Sequence, residues 1–186
     1  MRPPNLIPPD PPLTDGVIAL RAAAELDVDG LLGDGADGET QRWVNIPIPY
    51  TQADAREELD RLMGCWDDPA APVALVIADP AVSGYRGTMM LNHQRPDGIV
   101  ELGYSVHPAA RGRGFAGRAL TLVAPWAFAQ LRAERLEART DPDNVASQRA
   151  LERAGFTREG LERGSRSVHG VRRDMICWAL LPDDIE

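Results

Sequence analysis

Three apolar segments in the middle of the chain restrict its fold more than any other feature. Val73 to Ala78 (VALVIA), Gly84 to Asn92 (GYRGTMMLN) and Ile99 to Val106 (IVELGYSV) are each of strand length. Only short stretches separate them, carrying the turn-forming Asp79-Pro80 and Pro96-Asp97-Gly98. A parallel connection needs a crossover of about a dozen residues or more. The three segments are therefore expected to pair as an antiparallel meander.

The rest of the chain alternates helix and strand signals around that meander. Gly16 to Arg21 reads as a first strand, and residues 24–42, acidic and rich in glycine, as a short helix followed by a loop. Trp43 to Tyr50 (WVNIPIPY) is excluded from helix by Pro47 and Pro49. Thr51 is placed to cap a helix running to about Trp66. After the meander, Ala116, Leu120, Val123, Ala127 and Leu131 share one helical face, and Phe115, Leu122 and Trp126 another. That pattern predicts a broadly buried helix from Gly112 onward, kinked at Pro125. Arg135 to Thr140 is a fifth strand; Asp141 to Asn144 turns and caps a helix over Val145 to Ala154, which Gly155 ends. Thr157 to Arg163 and Arg172 to Leu181 complete a closing hairpin. The fold class is mixed α/β (α+β) with a largely antiparallel sheet. One domain is expected over residues 13–186, preceded by a proline-rich arm over 1–12.

Composition narrows the chemistry. A net charge of −8 argues against general nucleic-acid binding, although Arg111, Arg113 and Arg118 form a local basic group. The acidic remainder favours cationic substrates such as amines. Every one of the 20 basic residues is arginine. Lysine-based Schiff chemistry and the lysine-dependent phosphate loop are thereby excluded. Cys65 and Cys177 are far apart in apolar company, as expected of buried thiols, and no metal-ligand spacing appears. No apolar run is long enough to span a bilayer, and the first residues lack a secretory h-region. The expectation is a cytosolic protein with no membrane partner; assembly as a homodimer is left open.

The stretch Ser105 to Leu120, SVHPAARGRGFAGRAL, carries the sharpest functional signal. Gly112, Gly114 and Gly117 match the dinucleotide pattern G-x-G-x-x-G, and Glu137 lies where its acidic partner belongs. The context disagrees, since His107 to Arg111 separates the strand from the first glycine and the preceding strands join by hairpin turns. A loop of small residues entering a helix N-terminus can bind a pyrophosphate of another kind. The other reading of the residues alone is a flexible helix start with solvated arginines.

Arg111-Gly-Arg-Gly114-Phe-Ala116 resembles the R/Q-x-x-G-x-G/A element of the GCN5-related N-acetyltransferases. Glu101 to Pro108 looks like that family's fourth strand and its end, and Asn144 to Phe156 like its N-x-x-A/S helix ending in Gly-Phe. Arg42-Trp-Val, Pro49-Tyr-Thr and the closing hairpin around Asp174 are similar to the branch containing the ribosomal-protein N-terminal (Rim-type) acetyltransferases. The resemblance covers roughly residues 13–182. It implies a twisted sheet of six to seven strands, splayed between the fourth and fifth, with about four helices.

It also implies an activity: direct transfer of acetyl from acetyl-coenzyme A to an amine, either a protein N-terminus or a small molecule. A non-catalytic acyl-coenzyme A-binding domain of the same fold is the alternative. The implied cofactor contacts are the Val106 backbone on the pantetheine and residues Arg111, Gly112, Arg113, Gly114, Phe115, Ala116, Gly117 and Arg118 around the pyrophosphate, with Asn144 reaching the pantetheine arm. Glu101 is the implied base, acting through water. Many relatives carry a tyrosine seven residues after the Asn144 position; this chain has Leu151 there, and Ser147 is the substitute acid. Trp43, Tyr50 and His93 are candidates for the amine pocket, and no metal is expected.

Overall fold

The computed structural model describes residue 3 and residues 6–93 and 97–185. Residues 1, 2, 4 and 5 of the proline-rich arm, and Pro96 of the turn expected before Ile99, lie outside the described residues. The strands are β1 (Leu13–Thr14), β2 (Ala19–Arg21), β3 (Val73–Ala78), β4 (Tyr85–Asn92), β5 (Ile99–Val106), β6 (Arg135–Thr140), β7 (Thr157–Val168) and β8 (Val171–Leu180). The α-helices are α1 (Val28–Gly35), α2 (Gly38–Trp43), α3 (Gln52–Gly64), α4 (Phe115–Gln130) and α5 (Val145–Arg153).

All eight strands form one sheet in the order β1-β2-β3-β4-β5-β6-β8-β7. The meander is antiparallel as expected, with Val76 opposite Thr88 and Leu91 opposite Leu102. The pair β5 and β6 is parallel, and α4 supplies the crossover between them.

β3 alternates its side chains between two helical layers, so all six of its residues are buried. Val73, Leu75 and Ile77 join the larger core, with Phe115, Leu120 and Val123 of α4 and Leu151 of α5. Ala74, Val76 and Ala78 face α1 and α3, where they meet Leu31, Leu59 and Leu62. Leu6, within the proline-rich arm, is buried in the larger core.

The structure departs from the sequence expectations in four places. The two-residue β1 makes eight strands of an expected six or seven, shifting the predicted fourth and fifth to β5 and β6. The loop expected after the first short helix contains a second helix, α2, because the Asp37 side chain accepts from the Thr40 amide and caps it. The arms of the closing hairpin run further than expected, to Val168 and from Val171. Cys65 is a buried thiol, whereas Cys177 on β8 is only partly covered.

Candidate active site

β5 and β6 pair only from Ile99↔Arg135 to Leu102↔Ala138. β5 then follows β4, to which it stays paired as far as Gly87↔Val106, while β6 follows β8 as far as Thr140↔Ile176. Each strand is thus held by its outer neighbour, and the two part beyond Leu102 and Ala138. Along Gly103–Val106 the edge of β5 facing β6 has no strand partner among the described residues. An extended ligand bearing amide groups can take that place.

A cavity of about 760 Å³ opens around this gap. Glu101, Asn144, Ser147, Trp43 and Tyr50 all line it, so the fold gathers these predicted residues from four segments of the chain. His93 is not among the lining residues. It is buried at the end of β4 with Nε2 2.9 Å from the Ala71 carbonyl oxygen, so its ring serves packing there.

The loop before α4 has the form that its glycines predict. Gly112 and Gly114 adopt φ of +73° and +77°, and Gly114 is the N-cap of α4. A Cβ added at either would meet nothing within 4 Å, so the loop is open there. Those amides, with the positive end of the 16-residue α4, suit an anion.

The arginines are disposed differently. The Arg113 guanidinium lies 4.9 Å from the centre of the Phe115 ring, and Arg118 pairs with Asp15 at 2.5 Å. Arg111 turns inward, its Nε donating to the Val106 carbonyl at 3.0 Å and Nη2 to Asp37 Oδ2 at 2.6 Å and Thr40 Oγ1 at 2.7 Å. Arg111 is therefore a strut between the end of β5 and the cap of α2. Burial acts to raise the Asp37 pKa, but the hydrogen bonds from Arg111 and the Thr40 amide outweigh it and hold the carboxyl below its ordinary value.

On one side of the gap, Glu101 Oε2 lies 3.2 Å from Arg139 Nη1. Arg139 also reaches Glu162 at 3.0 Å and Glu137 at 3.7 Å, so one guanidinium serves three carboxylates. Tyr50 packs near Gly35, its pKa pushed up to about 12 by burial and by the charges of Glu58, Asp54 and Asp34. Trp43 Nε1 donates to Glu39 at 2.8 Å, beneath the Arg42 guanidinium.

On the other side stands α5. Asn144 caps it, Oδ1 accepting from the Ser147 amide at 3.0 Å, which fixes Ser147 in the first turn. Ser147 Oγ lies 2.8 Å from the Tyr104 hydroxyl. Tyr104 lines the same cavity, and burial pushes its pKa up to about 12 against the opposing effect of the Ser147 hydrogen bond.

Two groups escaped the sequence reading. Tyr104 could have been found from register, since it follows Leu102 by two and so shares the face of β5 that meets the helices. Asp34 left no such signal. It is only 3% exposed, and its carboxylate accepts from Tyr85 at 3.0 Å, Ser105 at 2.6 Å and Thr40 at 2.9 Å. Because Thr40 accepts from Arg111, the strut and the buried carboxylate belong to one network.

Residues 18–157 match the profile described as an acetyltransferase (GNAT) domain, three quarters of the chain. The chain belongs to this acetyltransferase family. Among curated proteins it is 40% identical over 84 residues to YjcK of Bacillus subtilis, named as a probable N-acetyltransferase. That alignment takes in 45% of this chain and 46% of the relative, so the chain spans about half the length of that protein. Among solved structures, Mycobacterium smegmatis RimJ in complex with CoA-disulfide superposes with a TM-score of 0.79 at 20% identity, over 91% of this chain and 84% of that one. The ribosomal-protein-S5-alanine acetyltransferase of Vibrio fischeri gives 0.76 at 20% identity, over 91% and 95%. At such identities the superpositions establish a shared fold, and that fold is the one expected from the resemblance.

Proposed function

We propose that this member of the GNAT family is an N-acetyltransferase that uses acetyl-coenzyme A and passes its acetyl group directly to an amine. A polypeptide N-terminus is the favoured acceptor class and a small amine the other. The observation that carries the reading is the parting of β5 and β6, which opens between Glu101 and Ser147 and beside the left-handed glycines of the α4 loop. The structural neighbours named for coenzyme A and for ribosomal-protein acetylation support the donor and the acceptor class. A cytosolic setting fits a chain in which no described helix is long and apolar enough to cross a membrane.

In this reading the pyrophosphate rests on the amides of Gly112 to Gly117, and the pantetheine lies along the open edge of β5 with Asn144 opposite. Arg111 contributes by fixing Val106 rather than by touching phosphate. Glu101, through water, takes a proton from the acceptor's ammonium group so that the free amine can attack, and Ser147 faces the departing sulfur. The pairing of Glu101 with Arg139 favours the second reading, a binding domain without turnover, because the ion pair engages the carboxylate that would have to receive the proton.

One experiment separates the two. Acetyl-coenzyme A is titrated calorimetrically, and thiol release is followed with peptides bearing free N-terminal Ala, Ser or Met and with spermidine. Binding with turnover is expected. Gly114→Glu should abolish binding while shifting stability by only about 1–2 kcal/mol, the cost of a left-handed non-glycine residue in open space. Binding that survives this change would count against the loop as the pyrophosphate site.

A further inference from the structure

Ser147 does not stand alone on its side of the gap. The Tyr104 hydroxyl is 2.8 Å from Ser147 Oγ and 3.2 Å from the Ser147 carbonyl oxygen. The two residues come from different elements, β5 and α5, and both line the cavity. A serine hydroxyl has one hydrogen and two lone pairs, so what it offers a ligand depends on its neighbour. The Ser147 carbonyl lies inside α5, where the next turn supplies its partner, and it is the more distant acceptor for the phenol.

We propose that Tyr104 is a positioning residue for the leaving sulfur: its phenol donates to Ser147 Oγ and leaves the serine hydrogen free to point into the gap. This rests on the acetyl-transfer reading above. As the amine nitrogen bonds to the acetyl carbon, the carbon–sulfur bond breaks and its electron pair stays on sulfur. The amine proton passes to water at Glu101. The Ser147 hydroxyl hydrogen-bonds the thiolate, which then takes its proton from solvent, while Tyr104 and Ser147 keep theirs.

Proton transfer from the phenol is disfavoured. Burial pushes the Tyr104 pKa up to about 12, whereas an alkyl thiol such as that of cysteine titrates near about 8.5, so the step runs uphill. The same burial keeps the phenol protonated, and hence a donor, throughout the working range. A polarised hydroxyl aimed at developing charge needs no proton transfer to assist the reaction.

The test uses the full chain with the acceptors named above. Tyr104→Phe and Ser147→Ala should each lower kcat roughly 10-fold to 100-fold, as for loss of a hydrogen bond to a charged group, with KM for acetyl-coenzyme A within about twofold. The double variant should be no worse than the worse single one. Ser147→Thr, which keeps the hydroxyl, should retain most of kcat. The loss in Tyr104→Phe should be the same factor from pH 7 to pH 10.

An unchanged kcat in Tyr104→Phe, additive losses, a rise in KM alone, or a factor that varies with pH would each overturn the assignment. If Tyr104→Phe does not fold, the contrast between Ser147→Thr and Ser147→Ala decides, equal losses counting against it. A wild-type chain that binds acetyl-coenzyme A but acetylates none of the acceptors removes the functional reading and this assignment with it. Turnover in the wild type with an unaffected Tyr104→Phe removes this assignment alone.

Discussion

Arg111 makes three contacts with one guanidinium: the Val106 carbonyl, the Asp37 carboxylate and the Thr40 hydroxyl. The loop pattern suggested a phosphate ligand, yet the side chain is consumed in holding the end of β5 to α2. Its worth is electrostatic in part. Asp37 is held below its usual pKa of 3.8. A depressed carboxyl contributes stability that is complete above the unfolded value and disappears as pH falls through the folded one. Arg111→Leu should therefore lower Tm at pH 6, by about 4 °C after allowance for a partly exposed pair. Below pH 4 the deficit should narrow as Asp37 protonates, and it should not vanish, because two neutral acceptors are lost as well. Melting curves from pH 3 to pH 7 check this. A deficit that widens on acidification would contradict the sign.

At the scale of elements, α1 explains glycines in the stretch expected to be a short helix followed by a loop. A Cβ on Gly30 would sit 2.5 Å from Tyr85 Cβ, and one on Gly35 2.4 Å from the Tyr50 ring. The helix tolerates poor propensity because only a bare backbone lets it approach β4 and Tyr50 this closely. Gly30→Ala should thus destabilise by about 1–3 kcal/mol through overpacking, although alanine is the better helix former. Gly64→Ala, at the end of α3 with nothing within 4 Å, should be neutral or stabilising by up to about 1 kcal/mol. Urea denaturation of both variants supplies the comparison, and equal effects would remove the close-approach explanation.

Across the whole molecule, β3 belongs to both hydrophobic clusters, with alternate residues in each. Neither helical layer can leave without exposing one side of a strand that is buried on both. Unfolding is therefore expected to be one transition, coincident by circular dichroism and tryptophan fluorescence. Leu120→Ala, at a fully buried α4 position, should cost about 2–5 kcal/mol and move both signals together. Separate midpoints would show that the layers unfold independently.

The residues alone were sufficient for what depends on neighbours in the chain. The antiparallel meander followed from turns too short for crossovers, and β3, β5 and β6 begin and end at the residues expected for them. The left-handed loop followed from its glycines, and the α5 cap from Asn144. What depends on distant partners was decided by the fold. Arg111 meets Asp37 across 74 positions, Ser105 meets Asp34 across 71, and Tyr104 meets Ser147 across 43. A side chain's local pattern states which interactions it is able to make. Which one it does make depends on what packing brings within about 3 Å, in an interior where a buried polar group must find a partner.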